Sequence, residues 1–167
     1  LKAAKSAAKQ FGGKIVKSPN EAIRNPNIDV VYISSSTHTH ADYIILAAKA
    51  GKAIFCEKPI DLDIKRVNEC RKELRKHKVA FQIGFNRRFD PSHKTAKEAK
   101  DKGEIGKLEK IIITSRDPAA PSSDYLKNAG GMFRDMTIHD FDLTRYILGN
   151  DPIEEVFAIG SNLFSKK

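Results

Sequence analysis

The sequence predicts an α/β protein: a parallel sheet in the first half, then a second unit of sheet and helix. Two observations predict it. Short β-branched or apolar runs at residues 28–34, 52–56 and 79–84 alternate with helical segments at 41–50 and 61–78. Such alternation marks βαβ units, whose crossover helices bring successive strands into parallel pairing. After Gly84 the texture changes. A helix, a long strand-like run and a Pro/Ser-rich loop replace the alternation, so a domain boundary is placed between residues 85 and 86.

In order, residues 1–11 read as a helix already under way, stopped by Gly12-Gly13. The chain opens without Met, so a fragment whose natural N-terminus lies upstream is expected. Residues 14–17 fit one short strand. Ser18 and Asn20 flank Pro19 and mark a helix entry for 20–24. Asn25-Pro26-Asn27 is a turn. Residues 28–34, IDVVYIS, are apolar nearly throughout, as a buried parallel strand is. A Ser/Thr/His loop leads into helix 41–50, closed by Gly51. Strand 52–56 ends in Glu57-Lys58-Pro59. Helix 61–78, with Asp61 as its cap, turns Val67, Cys70 and Leu74 inward, and 79–84 is another strand. Beyond the boundary come helix 91–102, a turn, strand 108–116, loop 117–127, helix 130–149 and a final strand, 153–164.

Composition excludes several classes. No apolar run approaches the ~20 residues that cross a bilayer, and nothing resembles a signal peptide, so no membrane partner is expected. The two cysteines, Cys56 and Cys70, form neither a disulfide framework nor a zinc spacing. A reducing, cytoplasmic compartment is expected. The net charge of +9 is concentrated early: residues 1–85 hold 16 Lys and Arg against 8 Asp and Glu, and the remainder 14 against 13. Much of the excess sits in KRVNECRKELRKHK at 65–78. No aromatic RNA-binding motif, zinc finger or glycine-lysine loop accompanies it. It reads as a solvated helix face, and no nucleic-acid partner is expected.

Ligands of parallel sheets bind beyond the carboxyl ends of the strands. The loops there are polar: Ser34-Ser35-Ser36-Thr37-His38-Thr39-His40, Glu57-Lys58-Pro59 and Asn86-Arg87-Arg88. The hydroxyls of the first could bind a nucleotide's phosphates and ribose, or only cap the next helix. Lys58 leaves a strand end, stiffened by Pro59. Desolvated there, it can act as acid or base or donate to a substrate oxygen. A surface pair with Glu57 is the alternative. In GGMFRDMTIHDFDLTRYILG, residues 130–149, helical spacing of about 100° per residue puts Asp135, His139 and Asp142 within roughly a 60° arc. The rest of the circumference is mostly apolar, as on a buried helix. Two carboxylates and an imidazole there are costly unless they face a cleft or one another. Asp135, one turn before His139, is expected to hold the imidazole and make it more basic. A metal site from His139, Asp135 and Asp142 with His38 or His40 is the alternative. It lacks HExxH or an equivalent, and no metal is expected. A GxSxG elbow is absent, and Cys56 has no positioned partner. The residues alone describe an α/β enzyme fragment with a cleft between Lys58 and the His139 helix.

Four segments, VYISSSTHTHADY, CEKPI, GFNRRFDP and GGMFRDMTIHDFDL, closely resemble the glucose–fructose oxidoreductase/inositol dehydrogenase superfamily. The last, with FNRRFDP, is most similar to its myo-inositol 2-dehydrogenase branch. The resemblance covers essentially the whole chain. It implies that residues 1–85 are the C-terminal portion of an NAD(P)-binding Rossmann domain whose glycine-rich turn lies upstream. Residues 86–167 would be the N-terminal portion of a substrate and oligomerisation domain with a largely antiparallel sheet. Lys58, Asp135 and His139 match the catalytic positions: His139 takes the proton from a ring hydroxyl, Asp135 orients and charges the imidazole, and Lys58 holds the reacting oxygen. Ser34, Ser35, Ser36, Thr37, His40, Glu57 and Lys58 match the edge of the cofactor cleft, for NAD or NADP. Asn86, Arg87 and Asp142 match substrate-side positions. The implied reaction moves a hydride from a ring hydroxyl carbon of a cyclic polyol, myo-inositol first, to NAD, giving the ketone. Another sugar or dihydrodiol dehydrogenase, or a non-catalytic dinucleotide-binding sensor, are the alternatives. Some inositol dehydrogenases carry a substrate-contacting His in an HRNP-like run. This chain has Ser115-Arg116-Asp117-Pro118 there, which leaves the polyol open. The superfamily also implies a homodimer or homotetramer. Without the glycine turn, the fragment alone is expected to bind NAD weakly and to be inactive.

Overall fold

A computed structural model describes residues 2–119 and 121–161. The first part runs α1 (Lys2–Phe11), α2 (Pro19–Arg24), β1 (Val30–Ile33), α3 (His40–Lys49), β2 (Ala53–Cys56), α4 (Ile64–His77) and β3 (Phe81–Ile83). The strands form one parallel sheet of three, ordered β1-β2-β3, with Tyr32 opposite Phe55 and Phe55 opposite Gln82. α2 begins at Pro19, where a missing N–H costs nothing, and Ser18 caps it by accepting the Glu21 N–H. α4 starts later than expected. Asp63 caps it by accepting the Lys65 N–H, while Asp61 is used one step earlier, accepting the Asp63 N–H. No strand forms at residues 14–17. The Lys17 N–H instead donates to the Glu21 carboxylate at 3.0 Å.

The core lies on one face of the sheet. Ile33, Ile54 and Cys56 pack beneath Ala41, Ile44, Ala47 and Ala48 of α3 and Cys70 of α4. The alanines let α3 sit close to both the sheet and α4. Burial pushes the Cys56 thiol up to about 12 and the Cys70 thiol up to about 11. Both are therefore inert core groups at neutral pH. The expectation that residues 28–34 are buried on both faces is corrected: Val30 and Tyr32 are 59% and 62% exposed. α3 and α4 bury their residues against the other face, and on the open face Tyr32 stacks on Phe55 with centroids 4.7 Å apart.

The second part contains α5 (Pro91–Asp101), α6 (Ser123–Asn128), α7 (Met132–Asp135) and α8 (Ile138–Leu148). A three-residue sheet end and a short 3-10 turn, Asn86–Phe89, connect the two parts. Asp90 caps α5, accepting the Ser92 and His93 N–H groups. α5 packs on α8. The loop expected at 117–127 contains α6, capped by Ser122. The strands expected at 108–116 and 153–164 do not form a ladder among the described residues, and 162–164 lie outside them. A strand exists only through a partner's N–H and C=O groups. Residues 111–115 keep the in-out alternation of a strand, but neither segment pairs with another. The antiparallel sheet expected for the second domain is thus not formed among the described residues. No helix among them is long and apolar enough to cross a membrane.

The single helix expected over 130–149 is two. The Thr137 N–H reaches back to the Met132 carbonyl, and the His139 N–H only to that of Met136. The ladder breaks at Met136-Thr137, between Asp135 and His139. Nor is the helix buried all round. Met132, Phe133 and Phe141 are about half exposed, and among its residues only Asp142 and Leu143 are buried. At Gly130, in the left-handed region at φ +80°, an added Cβ would stand 2.4 Å from a methyl of Leu62, so α7 enters in close contact with the β2–α4 loop.

Candidate active site

Lys58 stands just past β2. The ladder carries the loop out: the Glu57 N–H donates to the Ile33 carbonyl at 2.9 Å, and the Gly84 N–H to that of Cys56 at 2.8 Å. The Lys58–Pro59 peptide is cis. The Lys58 ammonium does not pair with Glu57. It crosses to α7 and donates to the Asp135 carbonyl at 2.6 Å and to Asp135 Oδ1 at 2.9 Å. Glu57 turns the other way, accepting the Tyr32 hydroxyl at 3.1 Å. Its carboxylate lies over Gly84, where a Cβ would come within 2.8 Å of Glu57 Oε2. The second oxygen of Asp135 accepts the Tyr125 hydroxyl at 2.8 Å. Burial alone would raise the Asp135 carboxyl. The hydrogen bonds from Lys58 and Tyr125 and the charges of Lys58 and His139 outweigh it and hold the group below the ordinary carboxylate range.

Two clefts meet at this point. One, of about 540 Å³, is lined by Arg87, His93, Ser115, Asp117 and His139 among others. The second, of about 570 Å³, is lined by Ser35, Ser36, Thr37, His38, Glu57, Pro59 and Leu62 among others. Three residues line both: Lys58, Asp135 and Tyr125. They are the three joined by hydrogen bonds, so the partition between the clefts is one polar chain.

His139 opens on the first cleft. Its Nδ1 is buried with no hydrogen-bond partner among the described residues. Burial, then the Lys58 and Arg87 charges, lower its pKa below 6.5 against the opposing pull of Asp140 and Asp135. Asp135 does pull the imidazole toward the more basic side, as expected, but it is outweighed, and the expectation that it orients His139 and leaves it more basic overall is corrected. Both Asp135 oxygens are engaged by Lys58 and Tyr125, and the net effect of the site is to keep the imidazole neutral. A neutral imidazole is the form that can accept a proton.

The substrate-side assignments divide. Arg87 reaches the first cleft, held by Asp140 and by Ser115, whose hydroxyl donates to Asp140 Oδ1 at 2.6 Å. Asp142 does not line it. Buried on α8, it receives Nε and Nη2 of Arg88 at 2.8 and 2.5 Å, and Arg88 in turn lies over the Tyr146 ring. Asn86 is also outside, in a separate apolar hollow with Phe55, Phe85 and Phe89. Arg87 and Arg88 are adjacent on a 3-10 turn and diverge. Each takes its own carboxylate, two residues apart on α8. That matched pair, Arg-Arg with Asp-x-Asp, was the available sequence signal for Asp140. Ser34 lies apart from both clefts, in a hollow beside α2 and α3. His40 is 2% exposed, its ring nitrogens 2.8 Å from the carbonyls of Pro59 and Ser35. It ties together the two loops that frame the second cleft and does not open into it. Tyr125 and His93 were missed, because a Pro/Ser-rich loop and an exposed-looking helix gave no reason to place them near Lys58. Among the described residues no three His, Cys, Asp or Glu gather to hold a metal ion.

Residues 1–85 match a family model described as an oxidoreductase family with an NAD-binding Rossmann fold, and residues 93–167 match the GFO/IDH/MocA C-terminal domain. The chain is 50% identical over 154 residues to a myo-inositol 2-dehydrogenase of Thermotoga maritima, covering 92% of this chain and 46% of that protein. The crystal structure of a myo-inositol dehydrogenase from Corynebacterium glutamicum superposes with a TM-score of 0.91 at 43% identity, over 99% of this chain and 49% of that one. A scyllo-inositol dehydrogenase from Lactobacillus casei, with bound NAD(H) and scyllo-inositol, gives 0.74 at 36% identity over 88% of this chain and 46% of that one. The chain spans about half the length of these relatives.

Proposed function

This chain belongs to the GFO/IDH/MocA family of oxidoreductases with an NAD-binding Rossmann fold, and from that premise we propose that it forms part of an NAD-dependent dehydrogenase of cyclic polyols. Myo-inositol is the first substrate, and the ring ketone the product. One observation carries the reading: the partition shared by the two clefts contains Lys58, the group best suited to hold a reacting oxygen between them.

The second cleft fits a dinucleotide. Three hydroxyl side chains, Ser35, Ser36 and Thr37, stand on the loop after β1, with Glu57 and Lys58 after β2 and an apolar wall of Pro59 and Leu62. These lie at the carboxyl ends of parallel strands, where such ligands bind. When bound, NAD supplies the hydride acceptor. The first part thus lines most of the cofactor side, Arg87, Ser115 and His139 of the second part the substrate side, and Lys58, Tyr125 and Asp135 stand between.

In the first cleft His139, held neutral, takes the proton of the reacting hydroxyl. Lys58 has three N–H donors and spends two on Asp135. The third is free for the substrate oxygen and steadies the charge that develops on it. Asp135 keeps the ammonium in place. Arg87, fixed by Asp140 and Ser115, offers its remaining N–H groups to neighbouring ring hydroxyls. The test is the full-length protein with myo-inositol, scyllo-inositol, glucose and a cyclic dihydrodiol, each with NAD and with NADP, followed by the absorbance of the reduced nicotinamide. Reduction of NAD by an inositol is expected. No reduction with any of the four would overturn the reading.

A further inference from the structure

We propose that Tyr125 is a positioning residue of this site, acting through Asp135 on Lys58. The inference rests on the dehydrogenase reading above. Three independent observations point to it. The Tyr125 hydroxyl donates to Asp135 Oδ2 at 2.8 Å, the oxygen that Lys58 leaves open. Tyr125 lines both clefts, a property it shares with Lys58 and Asp135 alone among the described residues. It reaches Asp135 from α6, a different element from the one that carries Lys58, so the carboxylate is gripped from two sides.

The physical consequence follows from what a lone ion pair lacks. The Asp135 carbonyl anchors the ammonium at 2.6 Å, but a carboxylate with one donor can still rotate about its last bond, and the ammonium then turns about that carbonyl anchor. With Lys58 on one oxygen and Tyr125 on the other, that rotation breaks a hydrogen bond, so the plane of the carboxylate is fixed. The ammonium is then fixed too, at the junction where its third N–H is needed. The position at which Lys58 stands matters because misplacing a catalytic group by about an ångström can cost on the order of 100-fold in rate. The hydroxyl also stabilises Asp135 as the anion, and it pays in kind: the carboxylate raises the Tyr125 phenol. The titratable groups that face Asp135 are Lys58 from the β2 loop, Tyr125 from α6 and His139 from α8.

The experiment uses the full-length protein with Tyr125→Phe, which removes the hydroxyl and keeps the ring. Two readings are taken. With myo-inositol, kcat is expected to fall about 10-fold, the scale of one hydrogen bond to a charged group, while KM for NAD changes less than about two-fold. With ¹³C-labelled aspartate, the carboxyl signal assigned to Asp135 through Asp135→Asn is expected to titrate at higher pH in the variant, because the anion has lost a donor. A tyrosine that only packed against the loop without donating to Asp135 would not move that titration, and the fall in kcat reads what the bond does for Lys58. An Asp135 titration that stays where it is in the wild type overturns the proposal, whatever the activity. So does a wild-type kcat in a variant of an active enzyme. If the wild type oxidises no polyol, the dehydrogenase reading fails, and the carboxyl titration still decides whether Tyr125 grips Asp135.

Discussion

Residues 2–85 and residues 86–161 hold their parts of the site by opposite means. The first part has a packed core: Ile23, Ile33, Ala41, Ile44, Ala47, Ala48, Ile54, Cys56 and Cys70 are all buried. Its site residues stand on loops that leave the ends of a hydrogen-bonded sheet, so packing positions them through the backbone. In the second part Leu143 is the one apolar side chain found buried among the described residues. Its site residues are held by charge: Asp135 by Lys58, Arg87 by Asp140, and, behind the cleft, Asp142 by Arg88. Packing is non-directional and fixes where a backbone runs. Ion pairs are directional and fix where a head group points, at a desolvation cost. The cleft lies where the two regimes meet.

The comparison can be broken at either end. The largest effect is expected in the packed part. Ile44 is fully buried, and Ile44→Ala in the full-length protein should cost about 2–5 kcal/mol in a urea titration; a loss well under 1 kcal/mol would show that the core does not carry this half. Next come Lys58→Ala and His139→Ala, each expected to lower kcat at least ~100-fold; the His139 variant should keep its thermal midpoint, while the Lys58 variant should lose some stability because Asp135 is left without its cation. Near-normal turnover by either variant would remove that residue from the chemistry. A smaller effect tests the charge-held part. Arg88→Met leaves the Asp142 side chain, 7% exposed, without its partner; because Arg88 itself is 42% exposed, water tempers the loss. About 1–3 kcal/mol of stability should go, with kcat little changed.

The smallest effect is in pH dependence, and it sharpens the link between the halves. His139 has a pKa below 6.5 because burial, Lys58 and Arg87 disfavour its charged form. A lowered pKa means that the neutral base persists as pH falls, and activity goes only below that lowered value. The acid limb of kcat/KM should therefore lie below 6.5, and Arg87→Gln, which removes one of the cations, should move it upward. A limb above 6.5 in the wild type would mean that Asp135 charges the imidazole after all.

Most of the first half was legible in the sequence. Its strands, helices and polar loops follow from local patterns: β-branched runs, Ser18 before Pro19, the apolar stripe that carries Cys70. The errors there have local causes. Asp63 displaced Asp61 as cap because both can accept a backbone N–H two residues on. Lys58 and His139 are singled out, one by its place after a strand and the other by its neighbours, and the fold brings both to the first cleft. Asp142, placed on the substrate side by the resemblance, turns to Arg88 and does not line the first cleft, and nothing local distinguishes it from Asp140, which does hold Arg87 there. Tyr125 gave no signal, since nothing in residues 117–127 says which distant carboxylate they approach. The strands expected at 108–116 and 153–164 show the limit most plainly: alternation says which face would be buried, but only a partner makes a strand.

By itself, the sequence determined the parallel α/β framework, the loops at the strand ends and the residues with the chemistry to act, because these depend on near neighbours along the chain. Tertiary structure alone decided the pairings: Lys58 with Asp135 and not Glu57, Asp140 and not Asp142 beside Arg87, His40 between the carbonyls of Ser35 and Pro59, and Tyr125 at the junction of the clefts. Each pairing joins residues far apart in sequence, and a carboxylate or an imidazole carries no local mark of the partner it will meet. What a charged group does depends on that partner and on how much water is left around it, and both are set only once the chain has folded.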